Sequence, residues 1–288
     1  MRALPATILA VCGLIASACG GAGTDGATAG QAAPATSAGQ TPAATTGQTP
    51  AATTGEADVP VSETPEKAEP LDGKVVVIDP GHNGGNFRDP AAINRQVDVL
   101  TQKKACDTTG TSTDDGYSEA AFTWDVSTRL RKILKNRGAT VELTRSGNDG
   151  VGPCITERAA IGNEADADAA ISVHADGSAP GNRGFHVIMP KKIDGPVDKV
   201  VKASSRLGIA VRDAFREGTG LPYSNYIGSR ALDYRNDLGG LNLSTVPKVF
   251  IECGNMRNAA EAAKFRDPKF RQKIALALAN GLQHYLES

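Results

Sequence analysis

The sequence has 288 residues, a formal net charge of -1 and a hydrophobic share of 40%. These values suit one globular domain that carries additional low-complexity sequence. Lysine and arginine are spread among acidic residues, and the densest basic pairs are Lys103-Lys104 and Lys191-Lys192. The composition therefore argues against a nucleic-acid partner.

The first 18 residues have the features of a secretory signal. Arg2 precedes an apolar run over residues 6–11, and three small residues at 16–18 come directly before Cys19. The apolar run is too short for a membrane-spanning helix. The pattern predicts that residues 1–18 are a signal peptide and that the protein is exported to the cell envelope.

The position of Cys19 leaves two modes of export open. Residues 16–18 satisfy the small-x-small rule for ordinary signal cleavage. The same stretch followed by Cys19 resembles a bacterial lipobox, although Ala16 stands where leucine is usual. Both processes would cut before Cys19, so the mature protein is either a lipoprotein anchored to the membrane through Cys19 or a protein secreted to the cell wall.

Residues 19–70 consist largely of Gly, Ala, Thr, Pro, Ser and Gln, and an identical octapeptide occurs at 40–47 and 48–55. Such a segment buries too little apolar surface to offset the entropy lost on ordering. We therefore predict a disordered tether over residues 19–70 and a globular catalytic domain over residues 71–288.

The hydrophobic pattern of the globular part predicts alternating strands and helices. In chain order these are a strand at 74–79, a helical stripe at 122–134 that stops before Gly138, a strand at 140–144, a helix at 155–165, strands at 169–173 and 184–189, a helix at 200–217, a strand at 248–253 and a helix at 268–286. This order predicts an α/β three-layer fold with a largely parallel central sheet flanked by helices.

Four polar residues follow or end an apolar run, or begin a helix: His82, Glu119, His174 and Glu252. Because the carboxyl ends of parallel strands meet at one edge of a sheet, we expect these side chains to converge there. Two imidazoles and one carboxylate make a hydrolytic zinc site with an open position for water, and a second carboxylate beside that water can transfer protons.

The remaining histidines and the cysteines have other expected roles. His186 lies inside a predicted strand and is expected behind the ligands or facing substrate, whereas His284 is expected on the surface. Cys12 is lost with the signal peptide, and Cys253 lies in a predicted buried strand. If Cys19 is lipidated, Cys106 and Cys154 remain as a disulfide pair, which export would allow.

Several motifs together resemble the type 3 N-acetylmuramoyl-L-alanine amidases, from about residue 72 to the C-terminus. These motifs are residues 76–84 (VVIDPGHNG), Glu119 at the start of a helix, residues 143–145 (LTR), Arg158 with residues 163–166 (NEAD), residues 171–176 (ISVHAD) and residues 252–255 (ECGN). The resemblance implies one Zn²⁺ per chain, bound by His82, Glu119 and His174, with Glu252 as the catalytic residue. It is nearest to compact mycobacterial members, which share the long loop after the first histidine and the cysteine pair of Cys106 and Cys154.

The resemblance implies hydrolysis of the amide bond between N-acetylmuramic acid and L-alanine in peptidoglycan or muropeptides. We expect a monomer, and the substrate-binding residues stay unassigned. Some relatives insert an inhibitory helix, but residues 191–199 are short and polar here, so we expect no such element. Two alternatives remain: a zinc peptidase that cuts within the stem peptide, and a non-catalytic peptidoglycan-binding module on the same fold.

Overall fold

The computed structural model describes residues 69–288, in which eight strands form two sheets. In chain order the strands are β1 (Val75–Pro80), β2 (Gln96–Asp98), β3 (Lys103–Ala105), β4 (Thr140–Leu143), β5 (Ala169–Asp176), β6 (His186–Pro190), β7 (Leu232–Arg235) and β8 (Lys248–Asn255). The central sheet has the order β4-β1-β5-β8-β6-β7, and β2 and β3 form a separate antiparallel hairpin. Only β6 and β8 pair antiparallel within the central sheet, which confirms the predicted largely parallel α/β fold.

Seven α-helices surround the sheet in the described part of the chain. They are α1 (Pro90–Asn94), α2 (Glu119–Lys135), α3 (Ile155–Glu164), α4 (Val201–Thr219), α5 (Gly239–Asn242), α6 (Ala259–Arg266) and α7 (Pro268–Leu286), with short 3-10 helices at Asn86–Arg88 and Pro196–Lys199. None of the helices among residues 69–288 combines the length and apolarity needed to cross a membrane.

Alternate residues of the strands face two different helical layers. Val76 and Ile78 lie in the large core that also contains side chains of α2, α4 and α7. Val77, between them, packs in a smaller core with Ile161 of α3. Because successive side chains of a strand point to opposite faces of the sheet, this alternation produces the three layers.

Helix α2 begins at Glu119 because the residue before it is a good N-cap. The Ser118 hydroxyl accepts a hydrogen bond from the backbone N–H of Ala121 at 3.3 Å. The apolar stripe of the helix is buried against the sheet and contains Phe122, Val126, Leu130 and Leu134. Packing and capping together fix where Glu119 lies relative to the strands.

The structure corrects the bounds of the predicted strands and adds elements that the sequence did not predict. Strand β5 continues to Asp176, so His174 lies within the strand and not after it, and β6 begins at His186 instead of residue 184. The hairpin β2–β3, strand β7 and helices α1, α5 and α6 are additional. These elements are three to eight residues long, too short for a hydrophobic period to be recognised.

The predictions for the N-terminal part of the chain lie outside the described residues. They are the signal peptide at 1–18, the lipidation site Cys19 and nearly all of the tether at 19–70. At the start of the described part, Leu71 is fully buried in the large core, where the globular domain was expected to begin.

Candidate functional site

The four predicted site residues converge at one edge of the central sheet. His82 follows β1, Glu119 begins α2, His174 lies in β5 and Glu252 lies in β8. His174 and Glu252 are register partners on adjacent parallel strands. The residues before them, Val173 and Ile251, point into the large core, so His174 and Glu252 point to the opposite face.

Three of these side chains form a cluster with the geometry of a metal site. One ligand atom from each of His82, Glu119 and His174 lies within 4.8 Å of the other two. Glu119 uses both oxygens, since Oε1 lies 2.9 Å from Nδ1 of His174 and Oε2 lies 3.3 Å from Nε2 of His82. Two nitrogens and one carboxylate group are a donor set that suits zinc.

The charges in the cluster favour a bound cation. Burial lowers the pKa of His82, but the neighbouring Glu119 and Asp107 outweigh burial and raise the pKa to about 10. The pKa of Glu119 is held well below its usual range despite burial, chiefly by His82 and His174. The two carboxylates around His82 thus favour a positive charge at this place.

Polar groups hold the far side of the His82 ring. Its Nδ1 lies 3.2 Å from Oδ1 of Asp107, 3.1 Å from the carbonyl oxygen of Thr108 and 3.2 Å from the Thr108 hydroxyl. The backbone of His82 has a positive φ of 58°, an uncommon conformation for a residue with a side chain. The residue is therefore held in place by its tertiary contacts.

Apolar packing and close approach hold the ring of His174. The ring of Phe250 stacks on it with a centroid distance of 5.3 Å and an interplanar angle of 13°. On the side of β1, a Cβ atom at Gly81 would overlap the imidazole ring. Glycine at position 81 is therefore required by the position of His174.

Glu252 is partly buried and has a carboxylate oxygen without a protein partner. Its Oε2 is shielded from solvent and has no hydrogen-bond partner among the described residues. Desolvation of the carboxyl group raises the pKa of Glu252 well above its ordinary value, and the negative charges of Glu119 and Asp176 raise it further. The carboxyl group of Glu252 thus holds a proton more readily than an ordinary glutamate does.

The cluster opens into a cavity of about 410 Å³. Beyond the four site residues, its lining includes Thr108, Thr111, Asp176, Ile188, Arg235, Leu238 and Phe250. A second cavity of about 250 Å³ extends towards Lys104 and Ile155, and it shares five lining residues with the first: His82, Thr108, His174, Leu238 and Phe250. The site therefore has room on more than one side for parts of a substrate.

A disulfide joins Cys106 to Cys154, with 4.7 Å between the two Cα atoms, as the sequence predicted. Both residues are buried and contact Val97, Val99 and Ile155 in a small cluster of their own. The bond ties the loop that follows β3 to the first turn of α3. Cys253 is a buried free thiol whose pKa is raised well above its ordinary value by burial, so it is a poor nucleophile.

The other two histidines of the described chain lie on β6 and α7. His284 is exposed near the end of α7. His186 is buried on β6 as the register partner of Glu252, and its Nδ1 has no hydrogen-bond partner among the described residues. Burial lowers the pKa of His186 and so favours the neutral form of its ring.

Residues that orient the site were not identified from the sequence as functional. Asp107 and Arg158 contact each other and His82, and Phe250 stacks on His174. Gly81 belongs to a family motif and Cys106 was a predicted disulfide partner. Neither residue indicates from the sequence which side chains lie in contact with His82. Only the folded chain brings these residues together.

Comparisons with known proteins identify the family. The N-acetylmuramoyl-L-alanine amidase family (Amidase_3) matches residues 76–284. The chain is 41% identical over 217 residues to the N-acetylmuramoyl-L-alanine amidase Rv3717 of Mycobacterium tuberculosis, a match that covers 74% of this chain and 87% of that relative.

Two crystal structures of the N-acetylmuramyl-L-alanine amidase Ami1 are also similar. The enzyme from Mycobacterium smegmatis is 39% identical with a TM-score of 0.71, covering 75% of this chain and 98% of that one. The enzyme from Mycobacterium abscessus is 41% identical with a TM-score of 0.71, covering 75% of this chain and 100% of that one. The chain therefore belongs to the N-acetylmuramoyl-L-alanine amidase family, type 3.

Proposed function

We propose that this protein is a zinc-dependent amidase that hydrolyses the amide bond between N-acetylmuramic acid and the L-alanine of the peptidoglycan stem peptide. The observation that carries the proposal is the cluster of His82, Glu119 and His174, with ligand atoms within 4.8 Å, beside the free carboxylate oxygen of Glu252. Membership of the amidase family supports the choice of bond.

In this proposal the three clustered side chains hold one zinc ion. His82 offers Nε2, His174 offers Nδ1 and Glu119 offers its carboxylate, which already lies between the two rings. When bound, zinc supplies Lewis acidity, which makes water a stronger acid and polarises a carbonyl group.

Glu252 is proposed to move the proton. Its free Oε2 can accept a proton from the attacking water, and its raised pKa keeps that proton on the carboxyl group. The same group can then donate the proton to the leaving nitrogen of L-alanine, which would otherwise depart as an unstable anion. One carboxyl group thereby serves as base and then as acid.

Mass spectrometry of digested peptidoglycan tests the reaction. We expect a glycan that keeps its lactyl group and a stem peptide with a free L-alanine amino terminus. The peptidase alternative predicts shortened peptides still attached to the glycan, and the non-catalytic alternative predicts no release at all. Either of those results would replace the proposed function.

The variant Glu252→Gln tests the role of the carboxyl group. It should keep the fold and the zinc content but lose about 100- to 10,000-fold in turnover, because an amide cannot accept the proton. Glu217→Gln, an exposed change on α4, is the matched control and should keep full activity. Turnover of the Glu252→Gln enzyme within a few-fold of the wild type would assign the base to another residue.

We also propose that the enzyme works outside the cytoplasm as a monomer, since ligands and proposed base all come from one chain. Size-exclusion chromatography with light scattering tests the monomer. Cys19→Ala tests the anchor: a lipoprotein would move from the membrane fraction to the soluble fraction and keep its activity on purified peptidoglycan. A wild-type protein that is already soluble and takes up no labelled fatty acid would favour ordinary secretion.

A further inference from the structure

We propose that Asp107 is a positioning residue for the metal site: its carboxylate accepts the Nδ1–H of His82 and so leaves the Nε2 lone pair of that ring directed at the metal. The inference rests on the proposed zinc-dependent function and adds a residue outside the predicted ligand set. Asp107 itself touches neither metal nor substrate in this proposal.

The two nitrogens of His82 face different partners. Nδ1 lies 3.2 Å from Oδ1 of Asp107, and Nε2 lies 3.3 Å from Oε2 of Glu119, the neighbouring proposed ligand. A neutral imidazole carries one hydrogen, so a hydrogen bond donated from Nδ1 leaves Nε2 as an acceptor for a cation. The outer partner of a metal-bound histidine thus selects the tautomer and the ring orientation.

The backbone carbonyl of Thr108 is a further acceptor for Nδ1, and the Thr108 hydroxyl, which can donate or accept, lies 3.2 Å from the same nitrogen. The backbone N–H of Thr108 donates to Oδ1 of Asp107 at 2.7 Å. The Thr108 carbonyl oxygen lies 3.1 Å from Nδ1 and is also held by the side-chain amide of Asn86 at 2.7 Å. The Thr108 carbonyl oxygen and the Asp107 carboxylate can only accept, so both favour a hydrogen at Nδ1, and Asp107 supplies the only negative charge among the groups around that nitrogen.

Arg158 holds Asp107 and the His82 backbone at the same time. Its Nη2 donates to Oδ2 of Asp107 at 3.1 Å and to the carbonyl oxygen of His82 at 2.9 Å. Its Nη1 pairs with Asp79 at 2.9 Å, and all three charged side chains are almost fully buried. Because both ends of the Asp107–His82 contact are attached to one guanidinium group, their separation is fixed.

The disulfide adds a covalent link between the same two segments. Cys106 directly precedes Asp107, and its partner Cys154 is the N-cap residue of α3, the helix that carries Arg158. The carboxylate and the guanidinium group that holds it are thus on two chain segments that cannot separate. The disulfide therefore restrains the segment that carries Asp107 relative to α3.

Zinc affinity is the first test. Asp107→Asn keeps the size of the side chain but removes its charge, and we expect Zn²⁺ to bind about 10- to 100-fold more weakly in a chelator competition experiment. The matched control is Asp125→Asn, which also removes a carboxylate paired with arginines, Arg129 and Arg271. The control should bind Zn²⁺ within about twofold of the wild type.

Nuclear magnetic resonance of the His82 ring separates positioning from general stability. In the zinc-loaded wild-type protein we expect the ring hydrogen on Nδ1, with a strongly downfield proton resonance that moves upfield in Asp107→Asn. A merely structural role would lower the melting temperature without changing this resonance. A ring hydrogen on Nε2 of His82 in the zinc-loaded wild type would contradict the inference without any variant, so the inference stays falsifiable even if Asp107→Asn does not fold.

The outcomes distinguish this inference from the proposed function. Wild-type protein that binds no zinc would overturn both. Wild-type protein that binds zinc, together with an unchanged Zn²⁺ affinity in folded Asp107→Asn or a ring hydrogen on Nε2 of His82, would overturn only the positioning role of Asp107.

Discussion

His82 and His174 offer the same chemical group to the proposed metal ion, yet different forces hold their rings. The ring of His82 is held by hydrogen bonds from a buried charged network that includes Asp107 and Arg158. The ring of His174 is held by stacking on Phe250 and by the missing Cβ of Gly81. Both rings contact Glu119, but beyond that shared contact His82 is held by charged and polar groups and His174 by the shape of its surroundings.

This difference follows from where each histidine lies in the fold. His174 is inside a central strand, where neighbouring strands supply packing at fixed spacing. His82 lies after the end of β1, next to a long loop, where backbone pairing no longer fixes the side chain. In this site the histidine on irregular backbone has polar contacts and a nearby disulfide, and the histidine on the strand has closely packed neighbours.

The largest expected effect is the loss of either ligand. His82→Ala and His174→Ala should each lose nearly all bound zinc, because two protein ligands hold the ion far less tightly than three. Metal analysis of the purified proteins measures this, with His284→Ala as a control that removes an exposed histidine. Stoichiometric zinc in either variant would show that the substituted histidine is not a zinc ligand, and the comparison of two ligands would no longer apply.

Loss of the disulfide should destabilise the loop that contacts His82. The bond closes a separation of 48 residues, and a chain-entropy estimate gives about 4 kcal/mol lost from the free energy of unfolding in the Cys106→Ser, Cys154→Ser double variant. Urea unfolding with and without reductant measures it. Reductant should destabilise the wild type and leave the double variant unchanged; an equal response of both would assign the effect to something other than this bond.

Gly81→Ala tests the steric fit around the His174 ring without changing any charge. The added methyl group would overlap the His174 ring, and strain of about 1 to 3 kcal/mol would weaken zinc binding by roughly 5- to 150-fold if the ring absorbs it. Gly181→Ala is the control, since a Cβ there meets nothing within 4 Å. Chelator competition compares the two, and equal Zn²⁺ affinity would show that His174 tolerates displacement.

The smallest expected effect is a pH dependence of the free energy of unfolding that arises from His82. In the metal-free protein the pKa of His82 rises from 6.5 to about 10 because Glu119 and Asp107 outweigh the effect of burial, so the folded state keeps a proton that the unfolded state loses. The stabilisation is complete below pH 6.5 and decreases as the pH rises towards 10.

Urea unfolding in the presence of a chelator measures how the free energy of unfolding changes between pH 6.5 and about 9, below the range in which tyrosine ionises. The raised pKa of Glu252 gives a slope of the same sign, so the comparison is made in the Glu252→Gln background. Adding His82→Gln should flatten the curve. A slope that persists without His82 would show that another group keeps the proton.

Much of the fold follows from local sequence patterns. The strands β1, β4 and β8 and the long helices α2, α4 and α7 were predicted within a few residues, because each has a clear hydrophobic period and recognisable ends. The short hairpin β2–β3 and strand β7 were not predicted, since three or four residues carry no period. Their positions depend on partners that are distant in the sequence.

The sequence by itself determined which residues could form the site, because His82, Glu119, His174 and Glu252 stand beside strong strand and helix signals. The residue types that can bind a metal and the preference for helix or strand are local properties of a sequence, so one sequence is enough to predict them. Only the tertiary structure decided how those residues are held: Asp107 against His82 through Arg158, and Phe250 against His174 over Gly81. Such contacts join residues far apart in the chain, and their distances and charges exist only once the sheet, the loop and α3 have packed together.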